Sequence, residues 1–324
     1  VERYARIWRA VCSWPWAILP SKLDAILGVL ELRAAGERVS DAEIAALLGA
    51  AQAQAQQAQA QQGGVAVLRL YGTIAQRMGS LAESSGGTST VSFTRLFRQA
   101  MADTQVGAIV LDVDSPGGSV FGVPELADEI YRARGQGKPI VAVANTMAAS
   151  AAYWIGTAAD ELSVSPSGEV GSIGVVCVHQ ETSQMDAAIG VKATVIAAGK
   201  FKAEGNPYQP LSEEAAAAIQ VRIDEYYTMF VDAVARHRGV PVGEVRGGFG
   251  EGRVVGAREA IALKMADHRE TLDEAIARMM RRRPVRAGAG PRGSVPAETP
   301  ALSLAVEQAA ANDEAELDRR RRRL

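Results

Sequence analysis

The chain has 324 residues, of which 48% are hydrophobic, 22% charged and 5% aromatic, with a formal net charge of −2. That length supplies one large domain or two smaller ones with ample core, and the composition excludes a disordered or collagen-like chain. The near-balanced charge excludes a global field that would draw nucleic acid or an anionic membrane. Two distant cysteines, Cys12 and Cys177, exclude a disulfide-stapled scaffold and a cysteine-rich zinc site, and the chain reads as a cytoplasmic protein.

At the start, Arg3, Arg6 and Arg9 precede an apolar run from Ala10 to Leu19, a pattern that resembles a secretion signal. Two Trp and a Pro interrupt the run, and no small-x-small cleavage site follows. It is also shorter than the roughly 20 apolar residues a bilayer crossing needs. It is read as a docking segment, and no membrane insertion is expected. Residues 1–50 read as helical: Leu23, Ile26, Leu27, Leu30 and Leu32 fall near helical spacing, and Ser40-Asp41-Ala42-Glu43 has the form of a capping box. Residues 51–64, Ala and Gln closed by Gly63-Gly64, read as a linker or solvated helix.

From Val65 the pattern changes. Strands are expected at Val65–Gly72, Gly107–Val113, Pro139–Ala144, Glu161–Val164, Ser172–Val178 and Lys192–Ala197. Helices are expected between them at Phe93–Met101, Pro124–Arg134 and Ala148–Ala159. The alternation predicts an α/β fold with a largely parallel sheet. Ser212–Arg238 reads as one long helix, capped by Ser212 and stopped by Gly239, with its apolar stripe serving as core. Residues 281–324 read as a low-complexity, disordered basic tail; from Arg278 onward there are eleven Arg against six acids. An acidic partner or a nucleic acid is the sharper alternative for that tail.

Chemistry concentrates in three places. Asp114-Ser115-Pro116-Gly117-Gly118-Ser119 follows a buried strand, and its glycines let backbone N–H groups approach a bound oxyanion, or simply make a turn. Ser150 lies among small residues, Met147-Ala148-Ala149-Ser150-Ala151-Ala152, at a strand-to-helix junction. It is placed either as a nucleophile or as a helix cap. An activating base is then needed. Of the three histidines, His237 reads as a solvent-facing helix end and His268 as surface, leaving His179. Lysine is the other option, in Gly199-Lys200-Phe201-Lys202, provided its surroundings favour the neutral amine. Three histidines and two cysteines make no metal-ligand cluster, and no Gly-x-x-x-x-Gly-Lys phosphate loop is present, so no cofactor and no metal is expected.

Ser-Pro-Gly-Gly, Met-Ala-Ala-Ser-Ala-Ala-Tyr-Trp, Gly-Ser-Ile-Gly-Val at 171–175 and Gly-Lys-Phe-Lys-x-x-x-x-Pro occur in that order. Together they resemble the signal peptide peptidase A (protease IV) family of serine peptidases, over roughly Val65 to Arg278. Val-Phe-Gly-Val-Pro-Glu-Leu at 120–126 and Gly-Asn-Pro-Tyr-Gln-Pro-Leu-Ser at 205–212 are similar to the single-domain phage and prophage branch, which includes capsid-assembly proteases. So are Gly-Phe-Gly-Glu-Gly-Arg-Val-Val-Gly-Ala at 248–257 and the N-terminal Trp-Ala-Ile-Leu-Pro.

The resemblance implies a Clp/crotonase-like domain at 65–280 and a Ser–Lys dyad. Its nucleophile falls on Ser150 and its general base on Lys202, with Lys200 as the neighbour to compare. Its oxyanion hole falls on the N–H groups of Gly118 and Ala151, with Gly117 shaping the turn and Ser172 orienting Lys202. Ala151 and Ala152 stand where many relatives carry glycines. The resemblance also implies extended peptide substrates, scaffold or portal proteins as phage partners, and a homo-oligomeric ring that can share each dyad between subunits. The expected function is therefore a serine endopeptidase of capsid assembly. A housekeeping peptidase, a catalytically silent capsid scaffold and a crotonase-type acyl-CoA enzyme are the alternatives. The last needs no Ser–Lys pair.

Overall fold

The structure is a computed structural model that describes residues 14–34, 60–62, 64–78 and 87–282. Cys12, the helix expected from Ser40, most of the Ala/Gln stretch and the tail from residue 283 lie outside the described residues. Along the chain come β1 (Trp16–Ile18), α1 (Pro20–Ala34), β2 (Ala60–Gln62), β3 (Val65–Tyr71), β4 (Ile74–Ala75) and β5 (Thr88–Ser89). Then follow α2 (Thr90–Ala102), β6 (Ala108–Ser115), β7 (Gly117–Ser119), α3 (Val123–Arg132), β8 (Ile140–Ala149), α4 (Ala151–Thr157), β9 (Glu161–Val164) and β10 (Glu169–Gly171). The chain continues through α5 (Ser183–Ala188), α6 (Glu213–Arg238), α7 (Val242–Gly248), β11 (Val254–Gly256), α8 (Ala257–Ala262), β12 (His268–Arg269) and α9 (Leu272–Arg282).

The fold is mixed α/β. The main sheet runs β11-β10-β8-β6-β3-β2, and β9 and β12 extend it from the first half of β8. Its centre is parallel: β3 with β6, β6 with β8, and β8 with both β9 and β10. The edge strands β2 and β11 are antiparallel to their neighbours. Parallel central strands must be covered on both faces, which is why β6 reads Ala-Ile-Val-Leu-Asp-Val without polar alternation. One face packs Ile109, Leu111 and Val113 against Phe93 and Phe97 of α2, Leu126 and Ile130 of α3, and Trp154 of α4. The other packs Val65, Val67, Val110 and Val143 against Ala275, Ile276 and Met279 of α9. A smaller four-stranded sheet, β1-β7-β4-β5, lies at the strand ends.

Helix α6 begins as its sequence predicts, with the Ser212 hydroxyl accepting from the Ala215 N–H at 3.1 Å, and Gly239 ends it in the left-handed conformation. Apart from Ala215, its buried residues lie in its second half, where Phe230 stacks on Trp154 with ring centroids 4.6 Å apart. In its first half Ile219, Ile223, Tyr226 and Tyr227 are only half-buried. Two expected strands are absent as strands. At 172–178 there is one bridge, Val176 to Trp16, and Lys192–Ala197 is exposed chain without strand pairing. Their β-branched residues suit a strand, but among the described residues no edge pairs with the second segment, and pairing is what makes a strand.

Replacing Phe230 by Ala removes the ring that α6 stacks on α4. It should lower stability by about 3–5 kcal/mol, read as a fall in urea midpoint with m unchanged.

Candidate active site

Strand β8 decides where the site lies. Between Val113 and Ser115 strand β6 advances two residues, whereas β8 goes from Ala144 to Ala148 to stay beside it. The resulting bulge at Asn145–Met147 lets β8 change neighbours, pairing β9 before it and β10 after it. Asn145, freed from the ladder, donates to the Asp112 carboxylate at 3.4 Å and accepts from the Ser165 hydroxyl at 3.4 Å. The Tyr71 hydroxyl donates to the other Asp112 oxygen. A buried carboxylate without donors would cost several kcal/mol, so this pairing is what allows Asp112 inside the sheet. Burial raises the pKa of Asp112 above the ordinary carboxylate value against the opposing effect of its donors, and burial raises Asp114 as well.

Just beyond the bulge, Ser150 joins β8 to α4 with φ 54° and ψ −119°. A non-glycine residue held there stores strain of order 1–3 kcal/mol. The side chain makes no capping hydrogen bond to α4, and the residue is almost fully buried. Its N–H donates to the Gly171 carbonyl at 2.7 Å, and its hydroxyl lies 3.5 Å from the Gly174 carbonyl.

The glycine loop faces this turn. The Ser115 hydroxyl donates to the Gly72 carbonyl at 2.6 Å and accepts from the Gly117 N–H at 3.1 Å, which fixes the bend. Gly117 has φ +98°, and a methyl added to it would lie 3.0 Å from the Ser150 Cβ. A methyl on Gly118 would lie 1.9 Å from the Ile74 carbonyl oxygen, so only glycine fits beside β4. Ser172 also has positive φ, 54°, and its N–H donates to the Arg253 carbonyl at 2.7 Å. Gly117, Gly118, Ser150, Ala151 and Ser172 are thus gathered at one end of the sheet.

The candidate bases are elsewhere. Lys202 lies on an exposed turn, its N–H donating to the Gly199 carbonyl at 3.1 Å, and no hydrogen bond joins it to Ser150 among the described residues. Lys200 pairs with Glu214 at 3.1 Å and lies over the Phe201 ring at 4.4 Å. The His179 ring lies 3.3 Å from the Asn206 carbonyl rather than at Ser150.

His237 differs from its sequence reading: it is buried, not solvent-facing. It stacks on Tyr131 at 4.8 Å and hydrogen-bonds Thr157 at 3.0 Å, while Arg134 donates to the carbonyls of Thr157, Ala158 and His237. This knot ties the end of α6 to the end of the helix that Ser150 opens. Burial first, then Arg134, Arg236 and Arg238, push its pKa down to about 3. The Asp112 network was also missed by sequence reasoning. Its signal was there as Asp112 set between Leu111 and Val113 in a mostly apolar strand.

Residues 132–286 match the family model of Peptidase family S49. It is 37% identical over 216 residues to the Head-tail preconnector protein GP5 of Enterobacteria phage P21, covering 67% of this chain and 42% of that protein. It is 35% identical over 213 residues to the Capsid assembly protease C of Escherichia phage lambda, covering 66% of this chain and 48% of that one. Protease 4 of Salmonella typhi is 34% identical over 193 residues, covering 60% of this chain and 30% of that protein. The chain therefore spans less than half the length of these curated relatives. Among solved structures, a mutant of ClpP1 from Listeria monocytogenes aligns with TM-score 0.38 and 15% identity over 65% of this chain and 94% of that one.

Two outcomes follow from the geometry. A Gly118→Ala variant should lose β4–β7 pairing and melt several degrees lower, because the clash is with backbone. His237 is neutral in the fold, whereas an unfolded histidine protonates near pH 6.5. The unfolded state therefore takes up a proton that the folded state refuses, and stability should fall as pH drops from about 6.5 toward 3. His237→Gln should flatten that acid limb in melting curves taken from pH 7 to 4.

Proposed function

We propose that this chain is a serine endopeptidase working through Ser150 and Lys202, with a role in phage or prophage capsid assembly. One observation carries the reading. Ser150 is held in a strained turn with its hydroxyl uninvolved in capping, against the Gly117–Gly118 loop. In the proposed reaction the Ser150 hydroxyl attacks a peptide carbonyl while the Lys202 amine takes its proton. The N–H groups of Gly118 and Ala151 hold the oxyanion, each contributing about 3 kcal/mol to the transition state. The proton passes to the leaving amine, and water then releases the acyl group by the reverse route. Ser172 orients Lys202.

A lysine serves as base where burial or neighbouring charges favour its neutral amine. On one copy Lys202 is exposed, and so are large apolar side chains of the same stretch of chain: Met185, Ile189, Ile196, Phe201 and Val221. Ile196 is 93% exposed and Ile189 70%, which is costly for a free surface and fits an interface between copies. The assembly reading places Lys202 of one copy at Ser150 of the next, in a homo-oligomeric ring acting on extended peptides. The names of the phage relatives favour scaffold or portal proteins as substrates and the prohead as the setting. Among the described residues no helix is long and apolar enough to cross a membrane. The proposed peptidase unit is 65–280; the expected helical segment at 1–50 is corrected by β1 at Trp16–Ile18 ahead of α1, and the expected linker at 51–64 by β2 at Ala60–Gln62, while the basic tail is 281–324.

Casein digestion by the full chain tests this. Ser150→Ala and Lys202→Ala should each reduce cleavage at least about a thousandfold, and Lys200→Ala should leave it near normal. Mixing the two inactive variants should restore a measurable fraction of activity, as only a dyad shared between copies can. Undiminished cleavage by Lys202→Ala would remove the dyad. No cleavage by the unaltered chain would favour the scaffold alternative.

A further inference from the structure

The short strand β1 occupies a place that the proposed chemistry needs for something else. It runs antiparallel to β7, with Trp16 opposite Ser119, Ala17 opposite Gly118 and Ile18 opposite Gly117. Its other edge is bonded as well. The Trp16 N–H donates to the Val176 carbonyl at 2.8 Å, and the Val176 N–H returns a bond to Trp16 at 2.8 Å. The Leu19 N–H reaches the Pro116 carbonyl at 3.0 Å, and the Val120 N–H reaches Pro15 at 3.4 Å. Segment 15–19 is therefore held as an extended strand between the glycine loop and the chain that follows Ser172.

The seat is close to the nucleophile. A methyl placed on Gly117 would be 2.3 Å from the Ala17 carbonyl oxygen and 3.0 Å from the Ser150 Cβ. The Ala17 carbonyl thus lies against the same point of the loop that Ser150 faces. An extended peptide captured by strand addition makes main-chain bonds of this kind and sends alternate side chains to opposite sides. Ala17 turns into the main core, while Trp16 and Ile18 enter a separate cluster with Leu23 and Leu27, flanked by Val176 and Val178. Because that cluster is distinct from the two cores that cover the sheet, the strand can leave without opening most of either. At the outer end, Trp14 meets Phe121 edge-on at 6.3 Å and Phe121 meets Tyr226 edge-on at 6.2 Å, an aromatic wall along the same path.

We propose that the channel between Gly117–Ser119 and Val176 is the peptide-binding groove, and that the chain's own Pro15–Leu19 sits in it as a resident ligand that must leave before substrate enters. The occupant also describes the ligand class: an extended peptide with a small residue between two large apolar ones. This rests on the reading of Ser150 as a nucleophile.

The test follows Ser150 in the full chain, using labelling by a fluorophosphonate together with casein cleavage, in the unaltered protein, Ile18→Asp and Trp16→Gly. Loosening the strand should speed both labelling and cleavage about tenfold. Added Pro-Trp-Ala-Ile-Leu peptide should reverse the gain. Variants that keep the unaltered melting curve and react no faster overturn the proposal. Should the variants not fold, amide exchange on the Ser150→Ala chain decides instead. Casein should accelerate exchange at Trp16 and Leu19, and unchanged or slower exchange overturns the proposal. Labelling and cleavage by the unaltered chain without any gain in the variants removes the resident strand alone. No labelling or cleavage in any form removes the peptidase reading and the resident strand with it.

Discussion

The two extra residues that β8 carries past β6 change which strand it pairs with, and they set the direction in which the chain leaves the sheet. A regular parallel strand at that point would keep β8 in step with β6 and leave no room to turn Ser150 against Gly117. The bulge exposes Asn145 to Asp112, and Tyr71 supplies the second donor, so three neighbouring strands are cross-linked by one buried carboxylate. Strain at Ser150 and the tight bend at Gly117 are then absorbed by a frame that has few alternatives. Packing on both faces of the sheet supports this, since parallel strands buried on each side tolerate little shift in register.

Helix α4 is the second support. It is short and wholly buried, its first residue follows Ser150, and its end is held by Arg134 and by the His237–Thr157 contact. The helix dipole adds a modest positive potential at the turn, which suits a group that develops negative charge there. The same contact uses a histidine that is kept neutral by burial and by three arginines, so the residue type that sequence reasoning searches for as a base serves instead as a packing element.

The region from Met185 to Val221 behaves differently from the domain it leaves. It presents large apolar side chains to solvent, has no strand pairing across Lys192–Ala197, and carries Lys202 on its exposed turn. The core of the domain is closed without it. A catalytic reading of Lys202 therefore joins two questions that are usually separate, what the base is and what the quaternary structure is. Beside the glycine loop, β1 pairs with β7, in the place the proposed groove assigns to an extended peptide.

Much was legible before any coordinates. The apolar runs at Val65–Tyr71, Ala108–Val113 and Ile140–Ala144, separated by amphipathic helices, specify a parallel α/β sheet, because each element's period already states which faces are buried. Ser212 and Gly239 mark both ends of α6, since capping is a local interaction between residues a few positions apart. Gly117, Gly118 and Ser150 stood out because they fall in motifs whose order along the chain resembles a known peptidase family. Only the tertiary structure decided the rest. Asp112 meets Tyr71 across 41 residues, His237 meets Thr157 across 80, and Trp16 pairs with Val176 and Ser119 from the far end of the chain. No local pattern encodes such pairings, because they depend on which strand edges remain open after the core has formed. The same reason explains Lys192–Ala197, whose residues suit a strand but whose partner edge is not among the described residues.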